Sequence, residues 1–85
     1  MLKTRIEKRI AEVKAQRGEV GESPYYLNGL DEGLRNVLAC PTEKITIENL
    51  EAGRQYYARG NGGGLSYRQE IMDAYEEVKA MLEEV

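Results

Sequence analysis

The sequence contains no histidine, tryptophan or phenylalanine, a single cysteine and two prolines. Without histidine the commonest general base and metal ligand is missing. Cys40 has no imidazole to activate it and no second thiol with which to form a disulfide, a redox pair or a metal site. The carboxylate pairs Asp31-Glu32, Glu76-Glu77 and Glu83-Glu84 are adjacent in sequence, so on a helix they diverge by about 100° and do not form a shared acid–base site. These residues offer no catalytic constellation, metal site or cofactor site. The expected function is binding, not catalysis.

No apolar run approaches the roughly 20 residues needed to cross a bilayer, and no basic segment followed by an apolar stretch of secretory type opens the chain. With its unpaired cysteine, the chain is expected to be soluble and cytoplasmic, with no membrane partner. Eighty-five residues suit one domain, 1–85, with a modest core. Six tyrosines supply all the aromatic content, so that core is expected to be aliphatic. A core so light favours self-association, and a homo-oligomer is expected.

The net charge of −3 conceals a segmented pattern. Residues 1–18 carry six Lys or Arg against two Glu, residues 19–53 carry seven acids against Arg35 and Lys44, residues 54–68 carry Arg54, Arg59 and Arg68 without an acid, and residues 69–85 carry six acids against Lys79. The ordinary reading is that oppositely charged helices pack beside one another. The functional reading is that a basic segment meets an anionic partner. The negative total weakens a duplex-DNA reading, since such affinity depends on Lys and Arg contacts to phosphates.

What is present reads as a mainly α-helical bundle of about four helices. Leu2, Ile6, Ile10 and Val13 recur at helical spacing over 2–17, with Gly18 as a C-cap. Ser23-Pro24 signals a second start, and Leu27, Leu30, Leu34, Val37 and Leu38 give the apolar face of a helix over 24–39, ended by Pro41. Gly29 and Gly33 lie four apart beside that face. Each costs about 1 kcal/mol in helix propensity, which points to close approach by another helix or a ligand. Residues 46–59 are read as a third helix capped by Thr46, with Ile47, Leu50 and Tyr57 inward. The alternation Ile45-Thr46-Ile47 leaves a short strand at 43–47 as the alternative. The fourth helix, 66–84, is expected to start at Ser66 with Gln69 completing a capping box, followed by the seam Ile71, Tyr75, Val78, Leu82 and Val85.

Between the last two helices lies the loop 60–64, Gly-Asn-Gly-Gly-Gly, where φ > 0 is readily available. A glycine-rich loop entering a helix N-terminus can present free N–H groups to a phosphate. Asn61, Gly63 and Ser66 could line such a site. Arg54, Arg59 and Arg68 could supply charge, and Tyr56, Tyr57 and Tyr67 could stack on a base. The loop is not a Walker motif, because no Lys follows the last glycine in the required pattern, and it is no dinucleotide fingerprint, because no strand precedes it. A plain linker is the competing reading. A second candidate is Tyr25-Tyr26 at a helix start, where adjacent tyrosines face different directions and the outward one suits a protein partner.

The helix Leu2-Lys3-Thr4-Arg5-Ile6-Glu7-Lys8-Arg9-Ile10, leading to Leu27-Asn28-Gly29-Leu30-Asp31-Glu32-Gly33-Leu34-Arg35, resembles the small accessory proteins encoded by phages and other mobile elements. Anti-CRISPR proteins and other counter-defence factors are common among them. The resemblance covers about half the chain and carries no diagnostic motif, so no family residue is transferred. It implies a non-catalytic inhibitor or regulator that binds a host protein or ribonucleoprotein complex. The alternative is a nucleotide or nucleic-acid binder, such as a protein that sequesters a nucleotide signal, using the glycine-rich loop and its Arg and Tyr neighbours.

Overall fold

The computed structural model describes residues 2–17 and 24–84, with residues 17, 24–26 and 65–66 described in their backbone only. The expected capping roles of Gly18 and Ser23 and the place of Val85 in the last seam lie outside the described residues. Four α-helices follow in order: α1 (Leu2–Arg17), α2 (Pro24–Leu38), α3 (Ile47–Ala58) and α4 (Leu65–Glu83), with a short 3-10 helix at Thr42–Lys44. Among the described residues there is no strand, and no helix is long and apolar enough to cross a membrane. The fold is a small helical bundle.

The core follows the apolar periodicities. Ile6, Ile10 and Val13 of α1, Leu27, Leu30, Leu34 and Val37 of α2, and Ile71, Ala74 and Val78 of α4 are all buried. Leu50 of α3 joins them. Each fully buried large aliphatic contributes about 1.5–3 kcal/mol. The alternation at residues 45–47 does not make a strand. The Lys44 N–H donates to the Pro41 carbonyl at 2.9 Å and the Ile45 N–H to the Thr42 carbonyl at 3.1 Å, closing a 3-10 turn. That turn points Ile45 inward, to 6% exposure, in the place expected for Ile47, which is left 40% exposed at the first position of α3. Thr46 caps α3 as expected, its hydroxyl accepting from the Asn49 N–H at 3.1 Å.

The start of α4 differs from the capping-box expectation. Gly64, in extended conformation and without a side chain to cap, is the N-cap, and its carbonyl accepts the first helical bond from the Arg68 N–H at 3.0 Å. Ser66 therefore falls inside the first turn. A glycine that leaves the loop in extended geometry begins the helix one residue before the hydroxyl signal.

α2 and α4 run parallel and approach more closely than side chains would allow. A Cβ at Gly29 would stand 2.6 Å from the Glu70 Cβ, and one at Gly33 would stand 2.6 Å from the Ala74 Cβ. Both glycines are thus explained by packing. α1 and α3 flank this pair. α1 runs antiparallel to α4, with Arg9 Nε–Glu77 Oε1 at 2.7 Å and Arg5 Nη2–Glu84 Oε2 at 2.6 Å joining the basic first helix to the acidic last one. α3 also runs antiparallel to α4, bolted by Glu51, which accepts from Arg54 at 2.5 Å, Lys79 at 2.8 Å and Gln55 at 3.0 Å. These hydrogen bonds hold the Glu51 carboxyl well below the usual carboxylate range. Such exposed pairs set orientation more than they add stability.

The α2–α4 crossing carries one unsatisfied group. Glu70 Oε2 is buried without a hydrogen-bond partner among the described residues, and burial, aided by the charge of Asp73, pushes the carboxyl up from its ordinary value. A carboxyl raised in the folded state contributes stability that is fully present below its unfolded pKa and lost as pH rises through the folded one. Glu70→Gln is expected to exceed the parent in stability by on the order of 1 kcal/mol at neutral pH and to match it at about pH 3. Urea midpoints at the two pH values check this, and an equal difference at both would contradict it.

The crossing makes a second prediction in which helix propensity and packing disagree in sign. Propensity alone favours Gly33→Ala by about 1 kcal/mol, whereas the collision with Ala74 predicts a loss of about 1–3 kcal/mol. Adding Ala74→Gly should recover part of that loss. A stabilised single variant would show that the helices do not touch there.

Candidate functional site

The corner where α3 ends and α4 begins gathers most of the residues singled out from the sequence. The last turn of any helix leaves carbonyls without intrahelical partners, and here those of Gln55, Tyr56 and Tyr57 each find one. The Gln55 carbonyl accepts from the Arg59 N–H at 3.1 Å, the Tyr56 carbonyl from Asn61 Nδ2 at 2.9 Å, and the Tyr57 carbonyl from the Gly60 N–H at 3.1 Å. Arg68 reaches back from α4. Its Nη1 donates to the Tyr57 carbonyl at 3.3 Å and its Nε to the Gly63 carbonyl at 3.0 Å. A cation at the negative end of the α3 dipole is favourable in its own right.

The glycines fit this fastening. Gly60, Gly62 and Gly63 have φ of 103°, 90° and 112°. Gly62 also lies flat against the Tyr57 ring, where any side chain would collide with Cε1 and Cδ1. The loop is thus a shaped connection between two helices.

Tyr57 is the hub beneath it. Its ring meets Tyr56 edge-on, with centroids 5.2 Å apart and planes at 87°, and meets Tyr75 of α4 at 5.9 Å. Its hydroxyl accepts from Asn36 Nδ2 of α2 at 3.4 Å. Tyr67 donates its hydroxyl to Glu32 of α2, and that hydrogen bond, with partial burial, pushes the phenol up to about 12.

The expected cluster therefore divides. Arg54 is committed to Glu51 and to Glu76, the latter at 3.0 Å. Arg68, Tyr57 and Tyr67 are held by internal partners, and Asn61 and Gly63 shape the loop. Arg59 is exposed, and its guanidinium has no hydrogen bond or ion pair among the described residues. The side chains of Tyr25, Tyr26 and Ser66 lie outside the described residues.

The outer face of α3 was not singled out as a unit from the sequence. Glu48, Ala52, Gln55, Tyr56 and Arg59, spaced by four, three, one and three, are all exposed and share that face. Tyr56 is 53% exposed. Its ring is nevertheless braced by Tyr57, and its carbonyl is tied by Asn61. The sequence held the signal: if Leu50 and Tyr57, seven apart, face inward, Tyr56 must face out.

If the loop is fastened in this way, Gly62→Ala, forced into positive φ against a ring, should lose on the order of 2 kcal/mol. Arg68→Ala should lose about 1 kcal/mol. Urea denaturation of each variant checks this, and unchanged midpoints in both would mean that the loop is a slack linker.

Comparison with protein families, with curated proteins and with solved structures finds no match to this chain.

Proposed function

We infer that this chain is a non-catalytic binding protein, an inhibitor or regulator of the phage-accessory, counter-defence kind. It occupies the surface of a larger host protein or ribonucleoprotein complex in the cytoplasm. The observation that carries this reading is Tyr56, more than half exposed yet braced edge-on by Tyr57. Beside it stands Arg59, three residues on, whose guanidinium has no partner among the described residues. Tyr and Arg are the residues that most often dominate binding energy at protein interfaces, and a ring already held in place loses little entropy on docking. The middle of the face, Ala52, Gln55 and Tyr56, is uncharged, with Glu48 and Arg59 at its two ends, which suits an interface centre depleted of charge.

The alternative, a nucleotide or other phosphate ligand at the loop, has Arg59 and the loop amides in its favour. Against it stands the commitment of Arg54 to two carboxylates and of Arg68 to two carbonyls. One uncommitted arginine is a weak basis for binding a polyanion.

The test is chemical cross-linking of the purified protein to its host lysate, read by mass spectrometry, with parent, Tyr56→Ala, Arg59→Ala and the off-face control Ile47→Ser. The expected result is one host partner bound by the parent and by Ile47→Ser and weakened about 30-fold by Tyr56→Ala, the scale of a 2 kcal/mol interface residue, with unchanged helical circular dichroism. A partner retained equally by all four proteins would overturn the assignment of the face. Saturable binding of a nucleotide that survives Tyr56→Ala and is lost with Arg59→Ala would transfer the function to the loop.

A further inference from the structure

On the inner side of α3, away from the face just described, a cavity of about 200 Å³ lies between the end of α2, the 3-10 turn, α3 and Tyr75. Val37, Ile45 and Leu50 are buried and form its floor, with the Tyr75 ring as one wall. Gly53 is part of its lining, and a side chain there would press on that ring, since a Cβ would stand 3.0 Å from Tyr75 Cε2. A cavity of about 150 Å³ with aliphatic walls accommodates benzene, so this one has room for a single ring and a small substituent.

The polar groups of the lining define what that substituent must be. Asn49 donates its Nδ2 to the Lys44 carbonyl at 2.7 Å, Asn36 donates to the Tyr57 hydroxyl at 3.4 Å, and the Cys40 thiol donates to the Asn36 carbonyl at 3.4 Å. All three are engaged within the protein. Lys44 is exposed at the rim, its ammonium has no hydrogen bond or ion pair among the described residues, and no acid lines the cavity. An apolar floor gives water few partners, and a lone rim ammonium selects an anion.

We propose that this cavity binds a small aromatic carboxylate, its ring against Val37, Ile45, Leu50 and Tyr75 and its carboxylate paired with the Lys44 ammonium. The Tyr75 phenol, pushed up to about 12 mainly by burial, stays protonated and adds no competing negative charge to the wall. This site is separate from the outer face of α3, and the two assignments stand or fall independently.

The test is a titration of the ¹⁵N-labelled protein with sodium benzoate up to about 10 mM, followed by amide chemical shifts. Benzyl alcohol serves as the uncharged probe of the same shape. The expected result is saturable shifts centred on residues 36–53 and Tyr75, with benzoate bound about tenfold more tightly than benzyl alcohol. Lys44→Gln, a change at an exposed side chain that leaves the core untouched, should remove that preference, and Gly53→Ala should abolish binding of both probes. Absence of saturable shifts, shifts centred on the lysines of α1, or equal affinity of the parent for the two probes would overturn the proposal.

Discussion

Everything in this fold depends on the contact between α2 and α4 at Gly29 and Gly33. The four helices alternate in direction, which makes α2 and α4 the parallel, diagonal pair. In such an arrangement side chains normally keep diagonal helices apart. Here two glycines and Ala74 let the backbones meet, and α1 and α3 are pushed to opposite flanks, where they share no extensive contact. The molecule is accordingly thin, 37 × 30 × 20 Å, its shortest dimension about two helix diameters. The glycines cost helix propensity and the crossing buries an unpaired Glu70 oxygen. Both are offset by the aliphatic cluster that closes around the contact.

That thinness has consequences for binding. A helix on the flank of a flat bundle exposes a broad face, and α3 is the short flanking helix whose outward residues include a large aromatic ring. The route from the crossing to that face is continuous: Tyr75 of α4 supports Tyr57, and Tyr57 braces Tyr56. Arg68 and the positive-φ glycines fix the end of the same helix. A surface held from below by the core and at its end by a shaped loop would lose little freedom if a partner docked on it. The same packing leaves space on the inner side, because Gly53 yields room to Tyr75 instead of filling it.

Much of this was legible in the sequence, for reasons that differ by element. The helices with a sustained three-and-four spacing, α1, α2 and α4, announce themselves because their buried faces persist over several turns. Gly29 and Gly33 could be read as a close approach because no other cause justifies two glycines on one helix, although only the structure supplies Glu70 and Ala74 as what they meet. The stretch around Ile45 was ambiguous because alternation over three residues is too short to distinguish a strand from a turn; a 3-10 hydrogen bond decided it and exchanged the roles of Ile45 and Ile47. The Ser66 capping signal was overridden by Gly64, whose extended geometry comes from the loop before it. The partners of the basic stretch from Arg54 to Arg68 were not legible for a physical reason: residue counts cannot show that Arg54 faces acids on its own helix and on α4, or that Arg68 turns back to cap α3.

The most direct test of the account is a nuclear Overhauser measurement between the Gly33 Cα protons and the Ala74 methyl group in the native protein. A strong cross-peak is expected, as backbones in contact through a glycine require, accompanied by a matching one between Gly29 and the Glu70 side chain. Absence of both in a well-folded sample would mean that α2 and α4 do not meet, and the flat bundle would lose its foundation.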